Sequence, residues 1–162
     1  MQINNIQFHS IGMVHSPFTE LKDMPIQPSG ASGVEGTLII HPEYTKGLCD
    51  LAGFSHIYLL YFFHRVKEFQ LKVTPFLDNQ PRGIFATRAP RRPNPIGLSI
   101  LLLVEINNEV LRVRNIDILD GTPILDIKPY VPVFDQPKNV KIGWLTNVDK
   151  GVKSKNSDER FI

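Results

Sequence analysis

A ten-residue segment rich in arginine and proline is the first part of the sequence that could carry chemistry. Residues 88–97 read RAPRRPNPIG, with three arginines and three prolines. Each proline fixes its own φ and pushes the preceding residue toward an extended backbone, so we expect a stiff loop. A stiff loop that presents guanidinium groups suits recognition of a carboxylate or a phosphate, because little entropy is lost on binding. The alternative is a solvated turn before the next strand; the density of fixed dihedrals favours binding.

A second candidate segment reads DGTPILDIKPY. Asp-Gly is a turn signal, and the strand predicted after it alternates, so Asp126, Lys128 and Tyr130 should project to one face. Leu125 and Ile127 should project to the other face. A carboxylate, an ammonium and a phenol would then share one surface. The alternative is an ordinary solvent-facing ion pair between Asp126 and Lys128, which would contribute little to stability.

The remaining sequence has no familiar nucleotide or metal motif. It contains no G-x-G-x-x-G and no Walker sequence, so dinucleotide and nucleoside-triphosphate folds lose their main support. The five histidines lack metal-ligand spacing and Cys49 is alone, so we expect no metal site. His64 ends an apolar run and precedes Arg65. Since ligand groups collect where strands end at a barrel mouth, we place His64 near a site.

Composition and charge limit the class of protein. The 162 residues are 42% hydrophobic and 21% charged, which is typical of a globular chain. The longest apolar run is too short to cross a bilayer, no secretory signal is recognisable, and one cysteine fits a reducing compartment, so we expect a cytoplasmic protein. The formal charge is only +2, but four of the eight arginines lie between Arg82 and Arg92 without an acid. This unevenness indicates a local basic surface.

Short strands dominate the predicted secondary structure. Runs of β-branched and aromatic residues alternate with Gly, Pro, Asn and Asp, and predict strands at 8–15, 36–41, 55–64, 82–87, 99–106, 110–117 and 123–129. The short Asn107-Asn108-Glu109 connection predicts a β-hairpin.

The fold class expected from these strands is mainly β. The runs IYLLYFF and ILLLV are apolar on both faces, as in strands that are buried on both sides or line a closed barrel. We therefore predict a small mixed β-barrel with one or two short helices, one of them at 42–51. Residues 1–135 should form the barrel domain. Residues 136–162 should form a tail that packs on this domain or on a second subunit.

Four strings in the chain resemble the signature blocks of the TsaA-like (YaeB-like) family: IGMVHSPF, FSHIYLLYFFHR, GIFATRAPRRPNPIGLS and DGTPILDIKPYVP. The resemblance runs from about Gln7 to Asp135. It implies a β-barrel methyltransferase that uses S-adenosyl-L-methionine and acts as a homodimer on tRNA. The expected reaction is methylation of N6 of N6-threonylcarbamoyladenosine at position 37 of threonine tRNA.

The resemblance also implies a cofactor site. Its residues would be Gln27, Pro28, Ser29, His64, Arg65, Arg92, Asp120, Gly121, Thr122 and Pro123. Arg92 could pair with the methionine carboxylate, and Asp120 could bind the ammonium or the ribose hydroxyls. N6 of the acceptor carries a carbonyl substituent and is a weak nucleophile, so a base should help.

Roles at the acceptor follow by inference from these blocks. Candidates for proton removal are Asp126, Tyr130 and His64. Candidates for contact with the acceptor are Arg88, Arg91 and Lys128, and other basic groups would meet phosphates of the anticodon loop. Two other readings stay open: a barrel that binds S-adenosylmethionine or RNA without catalysis, and methyl transfer to a different acceptor.

Overall fold

The computed structural model describes residues 5–22, 24–25 and 30–147 of the chain. Its strands, in chain order, are β1 (Gly12–His15), β2 (Glu35–Ile40), β3 (His56–Phe62), β4 (Lys72–Val73), β5 (Arg82–Gly83), β6 (Ile96–Asn107), β7 (Val110–Arg114) and β8 (Pro123–Pro129). Six of them close a barrel in the order β1-β2-β7-β6-β3-β8, and β4 pairs with β5 separately. The prediction of a mainly β chain folded as a small barrel is confirmed.

Neighbouring barrel strands in the described part of the chain run antiparallel. The barrel is therefore not mixed in strand direction, because its strands are joined by hairpins and loops instead of helical crossovers. The predicted β6–β7 hairpin is present. Asn108 turns it with a φ of 52°, in the left-handed region that asparagine tolerates.

Alternate positions of the strands fill the barrel interior. In β3 the buried side chains are Ile57, Leu59 and Tyr61, and in β7 they are Leu111 and Val113. This period of two is what a strand with one face toward the core requires. The interior is thus a mostly apolar core, and a ligand must bind at its ends or on its outside.

The outer positions of β3 and β6 are apolar as well. Tyr58, Leu60, Phe62, Leu98 and Ile100 form this outer apolar face, and Phe62, Leu98 and Ile100 are each more than a third exposed. The cross-strand register places Tyr58 opposite Ile100 and Leu60 opposite Leu98. The apolar runs predicted from the sequence therefore fill the core with one face and leave the other open in a single copy of the chain.

Helical structure is limited to short turns. The helix predicted at 42–51 is a 3-10 helix, Pro42–Leu48, followed by a 3-10 turn at Leu51–Gly53. Asp50 separates them with a φ of 64°, which a continuous helix does not allow. The α-helix α1, Pro132–Asp135, follows β8. Among the described residues, no helix has the length and hydropathy that spanning a bilayer requires.

Candidate active site at one end of the barrel

Three strand ends meet at one end of the barrel, which we call the rim. Phe62 at the end of β3 lies opposite Ile96 at the start of β6, and Tyr61 lies opposite Ile124 near the start of β8. The Phe63 amide donates to the Pro95 carbonyl at 2.8 Å. His64, the end of the arginine–proline loop and the DGTP turn therefore share the rim.

The DGTP turn at the rim is tied to β1. Oδ1 of Asp120 accepts a hydrogen bond of 3.0 Å from the Ser16 amide and lies 3.4 Å from Nδ1 of His15. The following glycine, Gly121, has a φ of 74°, a conformation that favours glycine. Thr122 is buried and its carbonyl accepts from Val14. These contacts fix an accessible carboxylate beside an open backbone turn.

Arg92 holds the arginine–proline loop together. Its Nη1 donates to the carbonyls of Ile84, at 3.1 Å, and Thr87, at 2.9 Å, and its guanidinium lies 5.8 Å from the Phe85 ring. These two bonds use two of the five N–H donors of a guanidinium. The stiffness expected from the prolines thus has a second source, because Arg92 clamps the turn that precedes it.

Arg88 brings the start of this loop to the barrel. Its charge lowers the pKa of three side chains, although burial outweighs it in each case: Tyr58 on the outer face, and Tyr61 and Asp117 inside. The charge of the exposed Arg88 guanidinium therefore affects the pKa of side chains both inside the barrel and on its outer face. Arg91, the other arginine predicted at the acceptor, accepts a hydrogen bond from the Gln70 amide through its carbonyl.

A buried polar network lies inside the barrel and was not predicted from the sequence. The Tyr61 hydroxyl lies 3.2 Å from Oγ of Ser99, and Ser99 donates to Oδ1 of Asp117 at 2.8 Å. Burial raises the pKa of Asp117 to about 6 and also raises the pKa of Tyr61. The signal in the sequence is weak, since it is only an acid between two isoleucines at 116 and 118.

His64 is half-buried just beyond β3. Burial lowers the pKa of its imidazole, and the charge of the adjacent Arg65 lowers it further, while a hydrogen bond with the Phe62 carbonyl opposes both. At neutral pH the imidazole is therefore uncharged and able to accept a proton. Arg65 itself is exposed to solvent.

The outside of the barrel carries Asp126, Lys128 and Tyr130. Nζ of Lys128 is 2.8 Å from Oδ2 of Asp126, and this bond raises the pKa of Lys128. The Tyr130 ring meets the Tyr58 ring edge-on at 5.5 Å, and its hydroxyl accepts from Nε2 of Gln136 at 2.7 Å. The shared outer location predicted for the Asp126 and Lys128 side chains agrees with their ion pair.

The opposite side of β8 differs from the prediction. A bulge in the β3–β8 pairing places Leu60 opposite Asp126 but Tyr61 opposite Ile124, so Leu125 is the extra residue. Ile124 and Ile127 therefore pack in or against the core, whereas Leu125 and Ile127 were expected to share one face. The bulge shifts the alternation by one position, which the sequence pattern does not reveal.

Two of the predicted catalytic residues, Tyr130 and His64, do not meet within one chain. The Tyr130 amide bonds the His56 carbonyl at one end of β3, whereas His64 follows the other end. Seven strand residues separate them, which is about 20 Å at the usual rise per residue. His64 shares the rim with the DGTP turn, while Tyr130 lies at the far end of the wall.

Two further predictions concern the cofactor loop and metals. Gln27, Pro28 and Ser29 lie outside the described residues. Within 5–22, 24–25 and 30–147, no group of three or more His, Cys, Asp or Glu side chains is arranged to hold a metal ion.

Similarity to known proteins agrees with this architecture. Residues 13–136 match the family described as the tRNA-methyltransferase O N-terminal domain, TrmO. The chain belongs to this family. The resemblance drawn from the sequence blocks is thereby confirmed, and the match covers the barrel, the arginine–proline loop and β8.

Relatives of this TrmO-family chain differ in length. It is 55% identical to a probable S-adenosyl-L-methionine-binding protein of Pyrococcus abyssi, over 97% of this chain and 85% of that protein. It is 36% identical to the tRNA (adenine(37)-N6)-methyltransferase of Escherichia coli, over 80% of this chain and 60% of that enzyme. The crystal structure of TrmO from Pseudomonas aeruginosa matches with a TM-score of 0.73 and 37% identity, over 86% of this chain and 62% of that one. The chain thus spans about three fifths of the longer relatives.

Proposed function

We propose that this chain is a methyltransferase that uses S-adenosyl-L-methionine to methylate N6 of the adenosine at position 37 of a tRNA. The observation that carries the proposal is the meeting of the arginine–proline loop, His64 and the DGTP turn at one barrel end. The names of the P. abyssi and E. coli relatives support the cofactor and the acceptor respectively.

The residues at the rim fit the proposed cofactor. Asp120 offers an accessible carboxylate for an ammonium or ribose hydroxyls, and Arg92 retains N–H donors beyond the two that clamp its loop. Among the described residues, apart from its two chain neighbours, no heavy atom lies within 4 Å of the position that a Cβ of Gly121 would take, so these residues leave room for a ligand beside this backbone. When bound, the cofactor would supply an electrophilic methyl group.

The task of the protein is then to align donor and acceptor and to remove a proton. Methyl transfer to nitrogen is an in-line displacement, so alignment contributes a large part of the rate. His64 is uncharged at neutral pH and lies at the rim, which supports it as the base. Asp126 and Tyr130, the other candidates, lie along the wall, where Asp126 is paired with Lys128.

The finer proposal for the acceptor is N6-threonylcarbamoyladenosine of threonine tRNA. Its carboxylate is matched by the guanidinium groups of Arg88 and Arg91 and by the ammonium of Lys128. A base beside the anticodon is in a single-stranded loop and can be turned outward at limited cost. Such an acceptor also implies a cytoplasmic location.

We further propose that the protein is a homodimer through the outer apolar face. Exposed apolar side chains such as Leu98 and Ile100 would be covered, and Asp126, Lys128 and Tyr130, which border this face, would lie at the interface. In such a dimer, residues on the outside of one barrel could lie near the rim of the other copy, although they are distant from the rim of their own chain. Sedimentation equilibrium should show a dimer that Leu98→Lys dissociates. A monomeric wild type would contradict this proposal.

The domain division also remains a proposal, with residues 1–135 as the barrel domain and 136–162 as a tail. It is supported by contacts from the described part of the tail, among them the bond from Gln136 to the Tyr130 hydroxyl. Nε1 of Trp144 donates to the Ala86 carbonyl at 2.8 Å, which favours packing of the tail on its own domain.

A second candidate function is binding of S-adenosylmethionine or RNA without catalysis. It is supported by the name of the P. abyssi relative, which is described only as a probable S-adenosyl-L-methionine-binding protein. Turnover separates the two functions. Transfer of a labelled methyl group to tRNA supports the enzyme, whereas saturable cofactor binding without labelled RNA supports the binding module.

A further inference from the structure

A separate apolar surface lies beside the rim, on the lobe that contains β4, β5 and the arginine–proline loop. Its side chains Phe69, Leu71 and Phe85 are 58%, 61% and 76% exposed. We call these three residues together with Trp144 the Phe85 surface. A small core supports it from behind, formed by Val73, Ile84 and Ala89.

Backbone hydrogen bonds bring the parts of this surface together. The Ile84 amide donates to the Leu71 carbonyl at 3.0 Å, directly beyond the Lys72–Gly83 pair of the β4–β5 ladder. Phe69 lies two residues before Leu71, and Phe85 directly follows Ile84. The aromatic groups are therefore presented on paired segments with their own core, and not on a free loop.

A cation lies near each of two aromatic rings on this surface. The guanidinium of Arg92 lies 5.8 Å from the ring centre of Phe85, and that of Arg82 lies 5.4 Å from the ring of Trp144. Trp144 is joined to the residue after Phe85 by its bond to the Ala86 carbonyl. The two aromatic–cation pairs are thus adjacent. Phe85 keeps most of its surface open although a guanidinium lies near it.

The charge of this lobe is unlike that of the whole chain. Residues 65–92 contain seven basic and two acidic side chains, a formal +5, whereas the whole chain carries +2. One of the two acids, Asp78, is already paired with Arg82 at 2.7 Å. In the sequence, Phe69 and Leu71 are flanked by the exposed residues Lys67 and Lys72. Like charges would oppose the docking of a second copy here, and a polyanion is favoured.

We propose that the Phe85 surface binds unpaired nucleotides of RNA, with a base stacked on Phe85 and phosphates beside the surrounding cations. Exposed aromatic rings set among cations are how proteins hold single-stranded nucleic acid, and each stacked base contributes about 1–3 kcal/mol. The inference rests on the proposed function, because it assigns a place on the protein to nucleotides that flank the reacting adenosine. It adds a surface beside the cofactor-binding rim.

The test compares RNA affinity with cofactor affinity. Fluorescence anisotropy with threonine tRNA should show that Phe85→Ala weakens binding about tenfold, whereas Phe85→Trp binds as tightly as the wild type. Affinity for S-adenosylmethionine, measured by titration calorimetry, should be the same in all three. Phe8→Ala is the matched control, since Phe8 is 62% exposed elsewhere on the chain and its removal should leave RNA affinity unchanged.

The outcomes separate this proposal from the function on which it rests. Wild type that binds and methylates tRNA while Phe85→Ala and Phe69→Ala bind it equally well overturns the Phe85 surface only. Wild type that binds no tRNA overturns both. Little buried area is lost with Phe85, so the variant should melt near the wild-type temperature. If Phe85→Ala is unfolded, the loss of affinity in Phe69→Ala and its absence in Phe8→Ala decide the question.

Discussion

The hydroxyl of Ser99 donates a 2.8 Å hydrogen bond to Oδ1 of Asp117 inside the barrel. Tyr61 lies on the other side of Ser99, and the nearby charge of Arg88 only partly offsets the burial of Asp117. Burial therefore favours the protonated acid in the folded state, although the hydrogen bond from Ser99 favours the charged form. This preference should leave a signature in the stability of the protein as pH changes.

The first prediction follows from the raised pKa of Asp117, about 6 in the folded chain against 3.8 for an ordinary aspartate. Between these values the folded state binds more protons than the unfolded state, so stability falls as pH rises through this window. The accumulated loss is about 3 kcal/mol above pH 6. Asp117→Asn keeps the acceptor for Ser99 and cannot ionise. Its gain over wild type in urea denaturation should be near zero at about pH 4 and largest at pH 7; an equal difference at both pH values contradicts the argument.

A second prediction concerns Gly97, which lies against the ring of Tyr61. A Cβ at this position would overlap the ring, and the ring cannot move freely because its hydroxyl is held by Ser99. Gly97→Ala should lower the free energy of unfolding by about 1–3 kcal/mol. Gly53→Ala is the control, because no heavy atom of the described residues, apart from its chain neighbours, lies within 4 Å of its added methyl. Equal denaturation midpoints for the two variants would show that the barrel accommodates the overlap.

Arg92 should act partly through the loop that it clamps. Lysine is one bond shorter and lacks the planar guanidinium whose Nη1 bonds Ile84 and Thr87, so Arg92→Lys should loosen residues 84–92. Amide hydrogen exchange there should quicken, and affinity for S-adenosylmethionine should fall about tenfold, equivalent to about 1.4 kcal/mol. Arg112→Lys, in an exposed pair with Glu105, is the control. Unchanged exchange with weakened cofactor binding would assign Arg92 to direct contact alone.

The pH dependence of the reaction tests His64. Its pKa is lowered from 6.5, so an activity that needs the uncharged imidazole should have an acidic limb centred below pH 6.5. Arg65 is one cause of that lowering, and Arg65→Ala should move the acidic limb of kcat/KM to higher pH. His64→Asn should remove the limb together with most of the rate. A limb that stays in place in Arg65→Ala would exclude His64 as its source.

Local patterns in the sequence predicted much of the fold. The alternation in β7 and the short asparagine connection defined a hairpin, and the consecutive apolar residues of β3 and β6 indicated a barrel wall. These features depend on neighbours in the chain. The bulge at Leu125 and the clamp made by Arg92 depend on partners that are distant in sequence, and no local pattern indicates them.

The candidate site shows the same limit. Motif similarity predicted a cofactor site that includes Asp120 and His64, and the structure brings these two residues to one barrel end. Motif similarity could not show that Tyr130 lies about 20 Å from His64 along β3. Nor could motif similarity show that Asp117 is partly buried, because the left-handed Asn115 interrupts the strand alternation two residues earlier.

The identity of the methylated nucleoside tests the central claim most directly. The protein is incubated with methyl-labelled S-adenosylmethionine and threonine tRNA that carries N6-threonylcarbamoyladenosine, and the RNA is digested to nucleosides. We predict that the label appears in the N6-methylated form of that nucleoside, and that Asp120→Asn reduces its amount. RNA that remains unlabelled although the cofactor binds, or label in any other nucleoside, would contradict the account.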